Sequence, residues 1–153
     1  MRTNKAGTTL IKKWEGLRLR SYKCSSNVYT IGYGHTGKDV QPNLEVTVEQ
    51  AEKLLEKDIS EREQQLNTIL DNHNINLNND DNMYSALLSL LFNIGYGNLN
   101  KSPLLSTLKN NNFVGDKQEI EKLWLNHNKS AGKELKGLTN RRKEEIILFY
   151  SSL

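Results

Sequence analysis

Residues 83–94, with the sequence MYSALLSLLFNI, are apolar on nearly every side of a helix. Such a helix has no face that it can leave in water, so the remainder of the chain must enclose it. Upstream, Ala51, Leu54, Leu55, Ile59, Leu66, Ile69 and Leu70 recur at helical spacing, which predicts one long amphipathic helix. Thr47 and Gln50 stand where a capping box would start it, and Glu52, Lys53, Glu56, Lys57, Glu61 and Arg62 supply its solvated face. Between the two helices, residues 71–82 are dominated by Asn and Asp and read as a solvated connecting loop. Downstream, Gly95 and Gly97 end the buried helix, and three more helices are expected over 103–109, 115–125 and 138–151. Trp124 and Leu125 give the second of these a buried edge, while Leu138, Ile146, Ile147, Phe149 and Tyr150 anchor the third. His127 reads as a surface residue.

The first 35 residues follow a different rhythm. A short helix presents Leu10, Ile11 and Trp14 on one face and stops at Glu15, where Gly16 can enter the left-handed conformation. From Arg18 to His35 apolar and polar residues alternate, which predicts two short strands around a turn at Ser25, Ser26 and Asn27. Gly32 and Gly34 bracket Tyr33, marking a bulge, a place where backbone approaches a ligand closely, or an ordinary turn. The fold class is therefore α+β, a small β-hairpin lobe followed by a larger helical lobe. Glu15 sits at the negative end of a helix dipole beside an indole, and both disfavour its charged form, as a general acid requires. By spacing alone it is equally a solvated glutamate in a last turn.

Composition narrows the alternatives. A chain of 153 residues with 36% hydrophobic content suits one domain, spanning 1–153. Its net charge of +3 would help it approach an anionic polymer. The single cysteine, Cys24, allows no internal disulfide. No apolar core of signal-peptide length precedes Lys12 and Lys13, and the longest apolar run, 146–150, is too short to span a bilayer. A soluble protein without its own export signal or stable membrane insertion is expected. Nucleic acid is not an expected partner, because Arg141, Arg142 and Lys143 are followed at once by Glu144 and Glu145. No metal or cofactor is expected either: His73 stands alone among asparagines, without the cluster that zinc requires.

Several separated motifs carry a family resemblance. WEGLRLRSY at 14–22, Cys24, VYTIGYGHT at 28–36, FNIG at 92–95, SPLL at 102–105 and GLTNRR at 137–142 occur in the order seen in the phage-type lysozymes, endolysins of glycoside hydrolase family twenty-four. The family's pattern of Glu, eight residues, Asp or Cys, five residues, Thr falls on Glu15, Cys24 and Thr30. The resemblance implies a lysozyme-like fold with a cleft between its lobes. It also implies a muramidase that hydrolyses the β-1,4 bond between N-acetylmuramic acid and N-acetylglucosamine in bacterial peptidoglycan.

Under that resemblance Glu15 is the general acid, and Thr30 orients the attacking water or the sugar. Phe92, Asn93 and Ser102 match substrate contacts in the lysozymes of T-even phages. His35 places the hairpin, and Arg141 matches a basic residue that pairs with the catalytic glutamate. Taken alone, Thr30 is a strand threonine, Phe92 a core residue, Ser102 a helix cap before Pro103 and Arg141 a helix-surface charge. Cys24 stands where a second carboxylate is commoner, and a thiol of ordinary acidity is mostly neutral at pH 7. Three readings follow: a lysozyme that uses Cys24, a lytic transglycosylase that uses Glu15 alone, and a peptidoglycan-binding module without activity. The implied setting is a monomeric endolysin, made in the host cytoplasm and released to the wall through a separate pore. Some relatives instead carry an N-terminal membrane anchor.

Overall fold

A computed structural model describes residues 1–24 and 26–153, so Ser25 of the expected turn lies outside the described residues. The elements in chain order are α1 (Lys5–Glu15), β1 (Arg18–Lys23), β2 (Tyr29–Gly32), β3 (His35–Thr36), α2 (Val48–Asn72), α3 (Asp81–Ile94), α4 (Tyr96–Asn100), α5 (Leu104–Leu108), α6 (Lys117–Leu125), β4 (Lys129–Ser130), β5 (Lys133–Glu134) and α7 (Lys136–Phe149). They form two compact units, residues 11–61 and residues 1–10 with 62–153.

The larger unit is arranged around α3, whose residues Met83 to Leu91 are all buried. Asp80 caps its start by accepting from the backbone N–H groups of Asn82 and Met83, both at 2.9 Å. Gly95, at φ +87°, ends it. Gly97 plays no part in that ending, because it lies inside the short helix α4. The connecting loop is less solvated than its composition suggests, for Ile75 and Leu77 are buried. Its asparagines have a backbone reason, since Asn74, Asn78 and Asn79 take positive φ near 54–57°, which asparagine tolerates better than most residues. Trp124 packs edge-on against Phe149 with centroids 5.2 Å apart, and Phe113 meets Phe149 from another side at 5.6 Å.

The last helix departs from the expected apolar anchor. Ile147 is 70% exposed, whereas Arg141, Arg142 and Glu145 are buried. Glu145 accepts from Ser89 Oγ at 2.5 Å, Trp124 Nε1 at 3.1 Å and Arg142 Nη2 at 2.9 Å, with Arg141 Nε at 3.4 Å. Buried ions are tolerated when their charge and hydrogen-bonding capacity are both matched, and here one carboxylate stands against two guanidinium groups. Its partners lie on α3, α6 and α7, so a single side chain ties three helices together.

In the smaller unit β1, β2 and β3 form an antiparallel sheet in that order. The third strand escapes a reading of the sequence, because β3 has only two residues. Arg18 faces Gly32 and Tyr22 faces Thr30, so the register shifts within β1. That shifted stretch turns its free edge to another segment: Ser21 N–H donates to Leu44 O at 2.8 Å, and Val46 N–H donates to Leu19 O at 2.9 Å. The capping box of α2 forms as expected. Gln50 N–H donates to Thr47 Oγ1 at 3.1 Å, and Thr47 N–H donates to Gln50 Oε1 at 2.8 Å. Among the described residues no helix is long and apolar enough to cross a membrane.

Replacing Glu145 with Ala should leave two buried guanidinium groups without their central acceptor. The expected loss is about 3–5 kcal/mol of unfolding free energy in urea titration. A change below about 1 kcal/mol would show that the carboxylate is not what holds α7 in place.

Candidate functional site

Glu15, Cys24, Thr30 and His35 belong to the unit 11–61, whereas Phe92, Asn93, Ser102 and Arg141 belong to the other. Glu15 is the last residue of α1, and Gly16 follows at φ +72° with its N–H donating to Lys12 O at 3.0 Å. The carboxyl group of Glu15 lies directly on Gly34. A Cβ at that position would stand 2.5 Å from Glu15 Oε1 and 3.3 Å from its Cδ. Gly34, at φ +78°, turns β2 into β3 as an ordinary turn would, and its bare backbone approaches the protein's own Glu15 carboxyl group.

Cys24 and Thr30 are neighbours across the same hairpin. Hydrogen bonds from the Val28 and Ser26 backbone N–H groups, and then with the Thr30 hydroxyl, hold the Cys24 thiol below its ordinary range. Thr30 is 4% exposed, and its hydroxyl also lies 3.1 Å from Val28 O. It is therefore an inward residue of β2 rather than one on a solvated face. The thiol is turned toward thiolate character by backbone donors, without a basic side chain.

His35 is buried between two carboxylates. Nδ1 lies 2.8 Å from Asp58 Oδ2 and Nε2 lies 3.0 Å from Asp39 Oδ2. Ionised carboxylates only accept, so carboxylate oxygens at both ring nitrogens favour the doubly protonated, cationic ring. Burial opposes that charge, but the bonds to Asp58 and Asp39 outweigh it and raise His35 above its ordinary value. Neither aspartate stands out in the sequence. Asp58 does carry a signal, since it falls between Leu55 and Ile59 on the apolar stripe of α2.

In the larger unit Phe92 is half-buried rather than core, with the Arg62 guanidinium 5.9 Å from its ring centroid. Asn93 is exposed, and its Oδ1 accepts from Arg142 Nη1 at 2.9 Å. Ser102 precedes Pro103, the N-cap of α5; its hydroxyl accepts from the Leu104 N–H at 3.3 Å and also meets His127 Nε2 at 2.8 Å. His127 is half-buried rather than fully at the surface: burial, then the charges of Arg142 and Lys129, push it below its ordinary value. Arg141 is no helix-surface charge either. It is 3% exposed, and its Nη2 donates to Ser89 O at 3.2 Å.

The phage lysozyme family profile matches residues 12–145. The chain is similar to the endolysin of Bacillus phage B103, with 39% identity over 151 residues, covering 97% of this chain and 54% of that protein. It thus spans about half the length of the Bacillus phage relatives that it matches. It is also 35% identical to the endolysin of Salmonella phage P22 over 99% of both chains. Among solved structures, the muramidase domain of SpmX from Asticaccaulis excentricus superposes with a TM-score of 0.82 at 29% identity over 97% of each chain. The fold is lysozyme-like α+β.

The paired histidine makes a signed prediction. Unfolded His35 titrates near its ordinary value of about 6.5, and the folded value is higher, so protonation stabilises the fold. That contribution is complete below about pH 6.5 and disappears as pH rises through the folded value. The stability gap between the parent and His35→Gln should be widest in acid and narrow in alkali, read as urea midpoints across roughly pH 5–9. A gap that widens with pH would contradict the assignment.

Proposed function

Because the chain belongs to the phage lysozyme family, we propose that it is a lysozyme which hydrolyses the β-1,4 bond between N-acetylmuramic acid and N-acetylglucosamine in bacterial peptidoglycan. The observation that carries this reading is the smaller unit's chemistry. Glu15 ends a helix with its carboxyl group laid on Gly34, and the same hairpin carries a thiol, Cys24, paired with Thr30. In this reading Glu15 gives its proton to the glycosidic oxygen as the bond to the anomeric carbon breaks. Water forms the new bond to that carbon, oriented by Thr30, and surrenders its proton to the Cys24 thiolate. The backbone donors that lower the thiol's pKa act in the direction this role needs.

Phe92, Asn93 and Ser102 bind the polymer, Arg141 and His35 support the site, and residues 1–153 act as one catalytic domain. The protein works as a monomer on the wall, and another protein supplies its route across the host membrane. The rival reading is a lytic transglycosylase, in which the muramic 6-hydroxyl attacks in place of water. It shares Glu15 but needs neither Cys24 nor Thr30, so the hydrogen-bonded pair favours hydrolysis.

Glu15→Gln keeps the shape and removes the proton, so wall clearance should fall at least ~10²-fold while folding survives. A variant that clears walls at the parental rate would remove Glu15 from its role. Mass spectrometry of the parental digest should show reducing-end muramic acid, and 1,6-anhydromuramic ends would assign the reaction to a transglycosylase instead. Alkylation of Cys24 should slow lysis, and Cys24→Asp should retain it. Full activity after complete alkylation would leave the thiol outside the chemistry.

A further inference from the structure

The Arg142 side chain is fully buried, yet it reaches exposed Asn93 and the main chain of His127. Its guanidinium grips Glu145, with Nη2 donating to Oε2 at 2.9 Å and Nε 2.7 Å from Oε1. The Nε contact is an ion pair rather than a hydrogen bond, so one donated bond and one charge contact on a planar group set the direction of the remaining nitrogen. Nη1 then donates to Asn93 Oδ1 at 2.9 Å and to His127 O at 3.0 Å. The His127 ring continues outward to the Ser102 hydroxyl at 2.8 Å. The buried ion pair thus reaches the Asn93 side chain directly, and reaches Ser102 only through His127, whose carbonyl meets Arg142 and whose ring meets the hydroxyl.

We propose that Arg142 and His127 are positioning residues for sugar binding: Arg142 turns the Asn93 amide so that its NH2 group faces outward as a donor, and His127 holds the Ser102 hydroxyl. A guanidinium has no acceptor, so only the amide oxygen of Asn93 can face it. The Nδ2 group is left on the exposed side of an exposed residue. A fixed outward donor selects an acceptor, namely the N-acetyl carbonyl or a hydroxyl oxygen of an amino sugar. Ser102 is held just as firmly, because its oxygen also accepts the Leu104 N–H. A lysine at 142 could carry the charge but lacks the planar group whose Nη2 meets Glu145 while Nη1 meets Asn93, and would leave the amide free to rotate. The inference rests on the reading of Asn93 and Ser102 as contacts to the wall polymer.

The test is titration of tri-N-acetylchitotriose into the isotope-labelled full chain, followed by the Asn93 side-chain NH2 resonance and the Kd. Wall-digestion kcat and KM are measured alongside. Asn93→Asp keeps an acceptor for Arg142 but removes the outward donor. It should weaken chitotriose binding and raise KM about tenfold, with kcat within about twofold and an unchanged urea midpoint. His127→Ala should behave alike, and His127→Gln, which can still reach Ser102, should restore most of the affinity. Arg142→Lys should add a lower urea midpoint to the same loss; should it fail to fold, the Asn93 and His127 variants still decide. Parental Kd in Asn93→Asp, an unmoved amide resonance, or no chitotriose binding by the parent would overturn the proposal. A parent that binds chitotriose in this pattern but digests no wall would leave the positioning intact and remove the lysozyme reading.

Discussion

The Glu145 carboxylate has no exposure to solvent, and it is held by groups from three helices. Placing one anion and two cations in a protein interior costs several kcal/mol per ion unless each finds its partners in good geometry. Here the geometry is good because the partners come with rigid shapes: a planar guanidinium, an indole N–H on a ring packed against Phe149, and a serine on the central helix. The same requirement that the ions be matched also makes the arrangement directional. An apolar plug of equal volume would fill the space but could not aim a hydrogen bond at Asn93 or at the His127 carbonyl. The charge cluster is therefore both the packing centre of the larger unit and the fixed point from which its polar surface is oriented.

The smaller unit reaches order by a different route, since it has few apolar residues to bury. Its hairpin is placed by backbone geometry and by the His35 imidazolium clasped between Asp39 and Asp58. Lys12 and Glu52 add an ion pair at 2.7 Å that joins α1 to α2, and the Tyr33 hydroxyl donates to the same carboxylate. These polar ties surround the stretch that brings Gly34 under Glu15. Such a site exchanges conformational freedom for precision: the glycine leaves no side chain to displace, and the carboxyl group lies against main chain that cannot rotate away.

Local order is readable from the chain because its causes are local. The capping box joins residues three apart, the buried helix declares itself by having no polar face, and the spacing of Cys24 and Thr30 becomes neighbourhood once the hairpin closes. The motif pattern leads to a family that the profile match then establishes. Where sequence and structure part, they do so mostly on polar residues. Arg141 reads as a surface charge, His127 as a surface residue and Ile147 as part of the anchor, whereas the first is buried, the second meets Ser102, and the third faces solvent. The short hairpin β4–β5 and the helix α4 leave no mark in the sequence, being too brief to show a period.

The amino-acid sequence by itself determined the α+β class, the run of helices around residues 83–94 and the end of α1 at Glu15, because periodicity and residue type are properties of the chain alone. Only the tertiary structure decided which charges are buried, since burial of an ion depends on partners far away in sequence: Ser89 meets Glu145 across 56 positions, and Arg142 meets Asn93 across 49. The opposite charges are close in sequence, three and four residues apart on α7, and such pairs form equally well on a solvated helix face. Burial comes when the fold brings the neutral partners Ser89 and Trp124 onto Glu145 and Asn93 onto Arg142.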